Sequence, residues 1–217
     1  MLNNGYKTIV TAGSRHSPQC EIVSFICENF GVDCKLFMPN GEETSVIRNV
    51  LKNSHTQIIR VKPAYNNVLS AKSFKYAMEN NFGYVPFGME CAENVDITQN
   101  QVLNLPKEAK RIIVPVGSGM TFSSITNGLF INKMFNYEIL GVRVGKDPSK
   151  IIQKYSPFNR MLNCKIVTSK HNYSTEVKAD IGGVELDPIY EAKCFDYLKP
   201  GDVLWIVGKR AGDNIGN

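Results

Sequence analysis

The stretch RIIVPVGSGMTFSSI, residues 111–125, decides how this chain is read. It opens as an apolar, β-branched run, which is a strand pattern. It breaks at Gly117-Ser118-Gly119, and a helical pattern begins at Thr121. In open parallel sheets, ligands collect at the carboxyl ends of strands. Gly117 and Gly119 allow a tight backbone whose N–H groups can approach an anion, and Ser118 and Thr121 can donate hydroxyl hydrogen bonds. The helix start adds the positive end of its dipole. The pattern predicts a phosphate cradle, against the plainer alternative of a strand-to-helix turn in which glycine only relieves crowding.

Spacing removes several better-known loops. A dinucleotide fingerprint needs a third glycine where Phe122 stands. A hydrolase elbow needs G-x-S-x-G, and VGSGM does not supply it. No lysine follows the turn as in a nucleoside-triphosphate loop, and RIIVPV lacks the acidic pair of a phosphoribosyltransferase.

Outward from the turn, the chain alternates. Thr8–Ala12 reads as a strand, and Ser17-Pro18 as a helix start with serine as N-cap and proline at the first position. Ile22, Val23, Ile26, Cys27 and Phe30 follow at helical spacing, and Gly31 stops the helix. Strand 34–38, a helix through Val46, Ile47, Val50 and Leu51, strand 58–61 and helix 68–78 come next. Residues 83–106 are rich in turns and read as the crossing between two lobes. Strand 112–116, helix 122–134 and strand 138–144 resume the alternation. Residues 165–183 are weakly patterned, 203–207 (VLWIV) read as a last buried strand, and the tail GKRAGDNIGN reads as frayed. The expected class is α/β, with open, mainly parallel sheets flanked by helices in two lobes, residues 1–105 and 106–217.

Composition agrees with a globular chain. The 217 residues are 43% hydrophobic and 21% charged, with a net charge of +5. The basic residues are scattered, which permits a phosphate-bearing ligand but disfavours nucleic acid. The six cysteines form no C-x-x-C pair and the three histidines lie far apart, so no metal site is expected. Cys20 and Cys27, two helical turns apart, read as small buried residues. No signal segment and no membrane-length apolar run is present, so a reduced, cytoplasmic protein without membrane partners is expected.

The turn G-S-G-M-T resembles the G-S-G-G-T phosphate loop of fold type II pyridoxal-phosphate enzymes, the tryptophan synthase β family, with Met120 replacing one glycine. Two segments narrow the resemblance to the 1-aminocyclopropane-1-carboxylate deaminase and D-cysteine desulfhydrase branch. Residues 10–39 are similar to its T-x-G-G-x-x-S-N-H/Q segment with the following helix and strand, and GGVELDPIYEAKCFDYL, residues 182–198, to its E-G-x-x-x-D-P-V-Y-x-G-K motif. The spacer FGYVPFGMECAENV is similar to the family's Y-V-I-P-x-G-G crossing. The resemblance implies a tryptophan synthase β-like fold, in which Gly117, Ser118, Gly119, Met120 and Thr121 wrap the cofactor phosphate. It further implies that Tyr190 stands beside the ring or substrate, that Glu191 faces the pyridine nitrogen, and that Ser17 lies by cofactor and substrate. Gly13, Ser14, His16, Gln19 and Tyr173 would complete the substrate side, and a homodimer is implied because family members are commonly dimers. Two plainer readings stand beside these: Asp187-Pro188 as a helix-start turn, and Lys193 as a surface or capping lysine.

The departures concern the ring end. The family's Schiff-base lysine lies in a G-G-N-K segment well upstream of the motif serine, and the residues before Ser17 are too few to hold it. Lys7 has none of that motif around it. The motif asparagine is replaced by Pro18, which has no side-chain donor or acceptor, and the last strand runs into VGKR rather than H-T-G-G or L-G-G. Three functions are therefore expected in competition. The first is a divergent protein that binds a phosphate-bearing small molecule in the interlobe cleft and acts on it without the usual lysine. The second is a pyridoxal-phosphate-dependent lyase or deaminase of a small amino acid. The third is a non-enzymatic partner or nucleic-acid-associated accessory protein.

Overall fold

The first strand, β1 (Thr8–Ala12), is buried along its whole length, as a short apolar run must be when helices cover both faces of a parallel sheet. It leads into α1 (Pro18–Asn29), then β2 (Asp33–Pro39), α2 (Ser45–Val50), β3 (Thr56–Val61), α3 (Asn66–Glu79) and β4 (Gly83–Val85). The four strands form a parallel sheet in the order β3-β2-β1-β4. Alternation sorts its faces. Ile9, Leu36 and Met38 pack with Cys20, Val23 and Cys27 of α1 and with Val46, Ile47 and Val50 of α2. Val10, Ala12 and Phe37 pack with Leu69 and Ala77 of α3. The computed structural model describes residues 5–63 and 65–207, and these divide into two units, one up to Glu90 and one from Cys91.

Cys20 and Cys27 are buried on α1 as their spacing predicts, but the apolar repeat there is misleading. Ile26 and Phe30 are 39% and 66% exposed, and the face that packs is Cys20, Val23, Ser24 and Cys27. Ser24 belongs to it because its hydroxyl has partners at 2.7 Å in Thr56 Oγ1 and 2.6 Å in Asn53 Nδ2. The β4 strand was not anticipated: it has three residues, too few to show a period.

The second unit begins with α4 (Ala92–Gln99), followed by β5 (Arg111–Val116), α5 (Met120–Ile131), β6 (Glu138–Arg143), α6 (Ser149–Tyr155) and β7 (Asn163–Thr168). A small antiparallel hairpin, β8 (Asp180–Ile181) with β9 (Val184–Glu185), precedes a 3-10 turn at Glu191–Tyr197 and β10 (Val203–Leu204). The sheet is parallel, in the order β10-β5-β6-β7. Ile112, Val114 and Val116 face Phe122, Ile125 and Leu129 of α5, while Ile113, Leu140 and Val142 face Cys194.

Four boundaries differ from expectation, each for a physical reason. Residues 91–105 belong with the second unit, because α4 lies directly on α5: a Cβ on Gly128 would come within 2.2 Å of the Gln99 carbonyl oxygen. The α5 helix stops at Ile131 and not at Met134, since Lys133 turns to φ 55 and the Met134 N–H closes back on the Leu129 carbonyl at 2.8 Å. The weakly patterned segment 165–183 begins inside β7, an edge strand with no fully buried face. The last strand is only Val203–Leu204, half-buried at the other edge, with Ile206 49% exposed. The VGKR end beyond Val207 and the tail lie outside the described residues.

That short edge strand is held by an ion pair. Arg111 Nε donates to Asp202 Oδ1 at 2.9 Å, a second guanidinium N–H reaches Asp202 Oδ2, and the same nitrogen donates to the Tyr197 carbonyl at 3.0 Å. The two side chains are 13% and 6% exposed. Burial pushes the Asp202 carboxyl up, but the Arg111 hydrogen bond, the Lys199 amide and the neighbouring positive charges outweigh it and hold it below its ordinary value. A carboxyl depressed on folding contributes stability at pH above its unfolded value, about 3.9, and that stability is lost as pH falls through the folded value. Substitution Arg111→Met should lower the unfolding free energy by about 3 kcal/mol, because it strands a buried carboxylate. Urea unfolding at pH 7 and pH 3 checks this: the deficit should shrink in acid, and an equal deficit at both pH values would contradict the ion-pair account.

Candidate functional site

The turn after β5 is built by one backbone requirement. Gly119 adopts φ 100, a left-handed conformation that side chains avoid, and so reverses the chain from strand into α5. A Cβ there would also stand 2.8 Å from Pro148 Cβ. The first intrahelical bond runs from the Ser123 N–H to the Gly119 carbonyl at 2.9 Å. The N–H groups of residues 119–122 therefore precede the helical ladder and converge on the turn. Of these, the Met120 N–H meets Ser118 Oγ at 3.4 Å. Ser118 is exposed, and Thr121 is half-buried in the first turn of α5. The helix behind them has twelve residues, and Met120, Phe122, Ser123, Ser124, Ile125 and Thr126 are all buried. Its serine and threonine hydroxyls bond back within the helix: Ser123 to Gly119, Ser124 to Met120 and Thr126 to Phe122, at 2.8–2.9 Å. Such a helix end can hold an anion by backbone donors and dipole without a lysine.

Tyr190 rests on this turn. A Cβ on Gly117 would lie 2.8 Å from Tyr190 Cε1, so glycine is what admits the ring. The Tyr190 hydroxyl lies 3.3 Å from the Tyr173 hydroxyl, and the rings meet edge-on with centroids 6.3 Å apart. Tyr190 is placed by Asp187, whose Oδ1 accepts the N–H groups of Ile189 at 2.8 Å and Tyr190 at 2.9 Å. Asp187 and Pro188 thus shape the turn that precedes the 3-10 turn, whose own N-cap residue is Tyr190. Glu191 is 1% exposed, and its Oε1 accepts the Val207 N–H, which ties the turn to the chain after β10. The structure brings Gly117, Ser118, Gly119, Met120, Thr121, Tyr173 and Tyr190 into one neighbourhood of the second unit.

Lys193 is the residue that sequence reasoning misplaced. It is 1% exposed, not on the surface, and Nζ donates to the carbonyls of Asn172 at 2.8 Å and Tyr173 at 2.7 Å. Burial pushes the amine down from its ordinary value, and the Asp187 charge opposes that shift. The signal was present. In a 3-10 turn, residues three apart eclipse, so Lys193 must follow Tyr190 to the same side, and its neighbours Ala192 and Cys194 are apolar and buried. Burial, assisted by the Glu191 charge, raises the Cys194 thiol.

The remaining predicted residues lie in the first unit, on the turn between β1 and α1. Gly13 is required there, since a Cβ would stand 2.3 Å from Cys20 Sγ. Ser14, His16 and Ser17 are half-buried; Ser14 Oγ accepts the His16 N–H at 3.3 Å, and Ser17 is the N-cap residue without a side-chain cap bond. Gln19 is turned inward instead: its Nε2 donates to Thr11 Oγ1 at 2.9 Å and the Pro86 carbonyl at 2.8 Å, which ties β1 to the end of β4. Among the described residues, no group of three or more His, Cys, Asp or Glu side chains could hold a metal ion, and no helix is long and apolar enough to cross a membrane.

No protein-family model matches the sequence, and no curated protein is similar to it in sequence. Solved structures are similar in fold. The crystal structure of an ACC deaminase homologue superposes with a TM-score of 0.74 at 17% identity, over 95% of this chain and 75% of that one. Threonine deaminase isoform 2 from Solanum lycopersicum gives 0.61 at 15% identity, over 96% and 71%. An O-ureido-L-serine synthase gives 0.63 at 9% identity, over 98% and 78%. The α/β architecture of parallel sheets flanked by helices is that of the fold type II pyridoxal-phosphate enzymes to which the sequence motifs pointed.

Substitution Gly119→Ala should destabilise the second unit by about 1–3 kcal/mol, the cost of holding a side chain at positive φ. Gly117→Ala has no such backbone strain and should act on Tyr190 alone, displacing its ring with a smaller loss of stability. Urea midpoints for both variants check the ranking, and equal midpoints would contradict this account of the turn.

Proposed function

We propose that this chain is a divergent protein of the pyridoxal-phosphate type II fold that binds a phosphate-bearing small molecule at the turn 117–121. The observation that carries the reading is the Gly119 turn, which gathers the leading amides of a buried twelve-residue helix beside two hydroxyl side chains. The absence of a Cβ at Gly117 and Gly119 supports it by letting the turn pack tightly against Tyr190 and Pro148 while its amides stay ahead of the helical ladder.

Pyridoxal phosphate is one ligand the residues fit. The amides at 119–122 with Ser118 and Thr121 would hold its phosphate, and Tyr190 would stand near its ring. When bound, that cofactor supplies an electron sink for chemistry at an amino acid's α-carbon. Glu191 is a buried carboxylate of the kind that would favour a protonated ring nitrogen. The 217 residues contain no G-G-N-K segment, so covalent attachment through that lysine is not part of this reading. The likeness in fold to deaminases favours a second reading, a pyridoxal-phosphate-dependent lyase or deaminase of a small amino acid.

Calorimetry with pyridoxal phosphate, pyridoxal and inorganic phosphate separates these readings. The first predicts that pyridoxal phosphate and phosphate compete for one site, that pyridoxal does not bind, and that Thr121→Val weakens both phosphate ligands by about tenfold, equivalent to one lost hydrogen bond to a charged group. Borohydride reduction of the loaded protein should leave its intact mass unchanged. A single mass gain equal to the reduced cofactor, suppressed by competing inorganic phosphate, would favour the lyase reading over the first, and absence of any phosphate binding would overturn both.

A further inference from the structure

No other lysine or arginine is buried as Lys193 is among the described residues. A buried ammonium is costly unless its donors are used, and an apolar side chain of similar length would fill the same space at less cost. The contacts show what the charge achieves. The chain between Tyr173 and Tyr190 leaves as a hairpin arm, laddered by the Val177 N–H on the Pro188 carbonyl and the Leu186 N–H on the Ala179 carbonyl, each at 3.0 Å. Residues 181–185 at its tip are all exposed, so the tip does not fix the root. Two grips do. Asp187 Oδ1 holds the amides of Ile189 and Tyr190 on the returning side, and Lys193 Nζ holds the carbonyls of Asn172 and Tyr173 on the outgoing side. Nζ also lies 5.8 Å from the centre of the Tyr173 ring.

We propose that Lys193 is a positioning residue: its ammonium fixes the outgoing root of the arm so that Tyr173 stands edge-on to Tyr190 and keeps the Tyr190 ring against Gly117. Tyr173 is otherwise a loop residue at the base of an exposed arm, and the side chain of Lys193 is anchored in the buried 3-10 turn. The link runs from that turn, through the ammonium, to the tyrosine pair. Its consequence for ligand binding rests on the reading of the turn 117–121 as the phosphate site; the geometry of the tyrosines does not.

The test uses the full chain labelled with 3-fluorotyrosine, with Tyr173→Phe and Tyr190→Phe assigning the two fluorine resonances. In Lys193→Met both resonances should move toward the position of free tyrosine while those of the remaining tyrosines stay, and inorganic phosphate should bind more weakly. Unmoved Tyr173 and Tyr190 resonances in that variant would overturn the proposal. If the wild-type chain binds no phosphate, the site reading fails, yet the fluorine shifts still decide the role of Lys193. Should Lys193→Met not fold, the ammonium can be read directly in the wild type by 15N-lysine labelling. One Nζ resonance with slowly exchanging protons is expected, and rapid exchange of every lysine ammonium would overturn the proposal.

Discussion

The reversal at Gly119 is the constraint on which the second unit depends. A left-handed residue at that point lets β5, buried through its apolar length, pass directly into α5, itself buried on several sides. Both elements are then locked by the same core, in which Val114 and Val116 meet Phe122 and Ile125. A side chain at Gly119 would oppose the backbone and strike Pro148. The geometry that makes the fold also leaves the leading amides of α5 with no place in the helical ladder. The fold of the second unit and the proposed anion site thus share one turn.

Around it the chain deploys buried polar groups where an apolar core would be more stable. The α5 hydroxyls satisfy themselves on helix carbonyls, which allows a serine-rich helix to be buried without orphaned donors. Asp187 and Lys193 are spent on backbone amides and carbonyls, one on each side of the arm between the two tyrosines. Glu191 is committed through Oε1 to the amide of Val207. These contacts give a local rigidity that hydrophobic packing cannot direct, and they place two phenols beside a glycine turn.

Much of this was legible in the sequence, and what was not has physical causes. The β5–turn–α5 unit could be read because a strand buried on both faces leaves an unbroken apolar run and because glycine marks the turn. The β4 strand could not, since three residues show no period, and β7 could not, since an edge strand alternates poorly. The α4 helix buries only Val95 within its own length and so carries almost no apolar signature, although it seats Gln99 against Gly128. On α1, Ile26 and Phe30 supplied helical spacing without burial, while Ser24 and Gln19 were buried through hydrogen bonds that periodicity does not register. Gln19 reads as a ligand contact from its motif position, yet its amide is engaged within the first unit. Lys193 reads as a surface or capping lysine because of its charge; its register with Tyr190 and its apolar neighbours carry the inward signal, and the carbonyls of Asn172 and Tyr173 satisfy the buried ammonium.

The central claim is that the amides leading α5 form the anion site. Two-dimensional 1H–15N spectra recorded during a titration with inorganic phosphate test it at the atoms concerned. The account predicts saturable shifts of the Gly119, Met120, Thr121 and Phe122 amides, moving together with one dissociation constant. Saturable shifts elsewhere with those four amides unmoved, or no saturable shift at all, would contradict it.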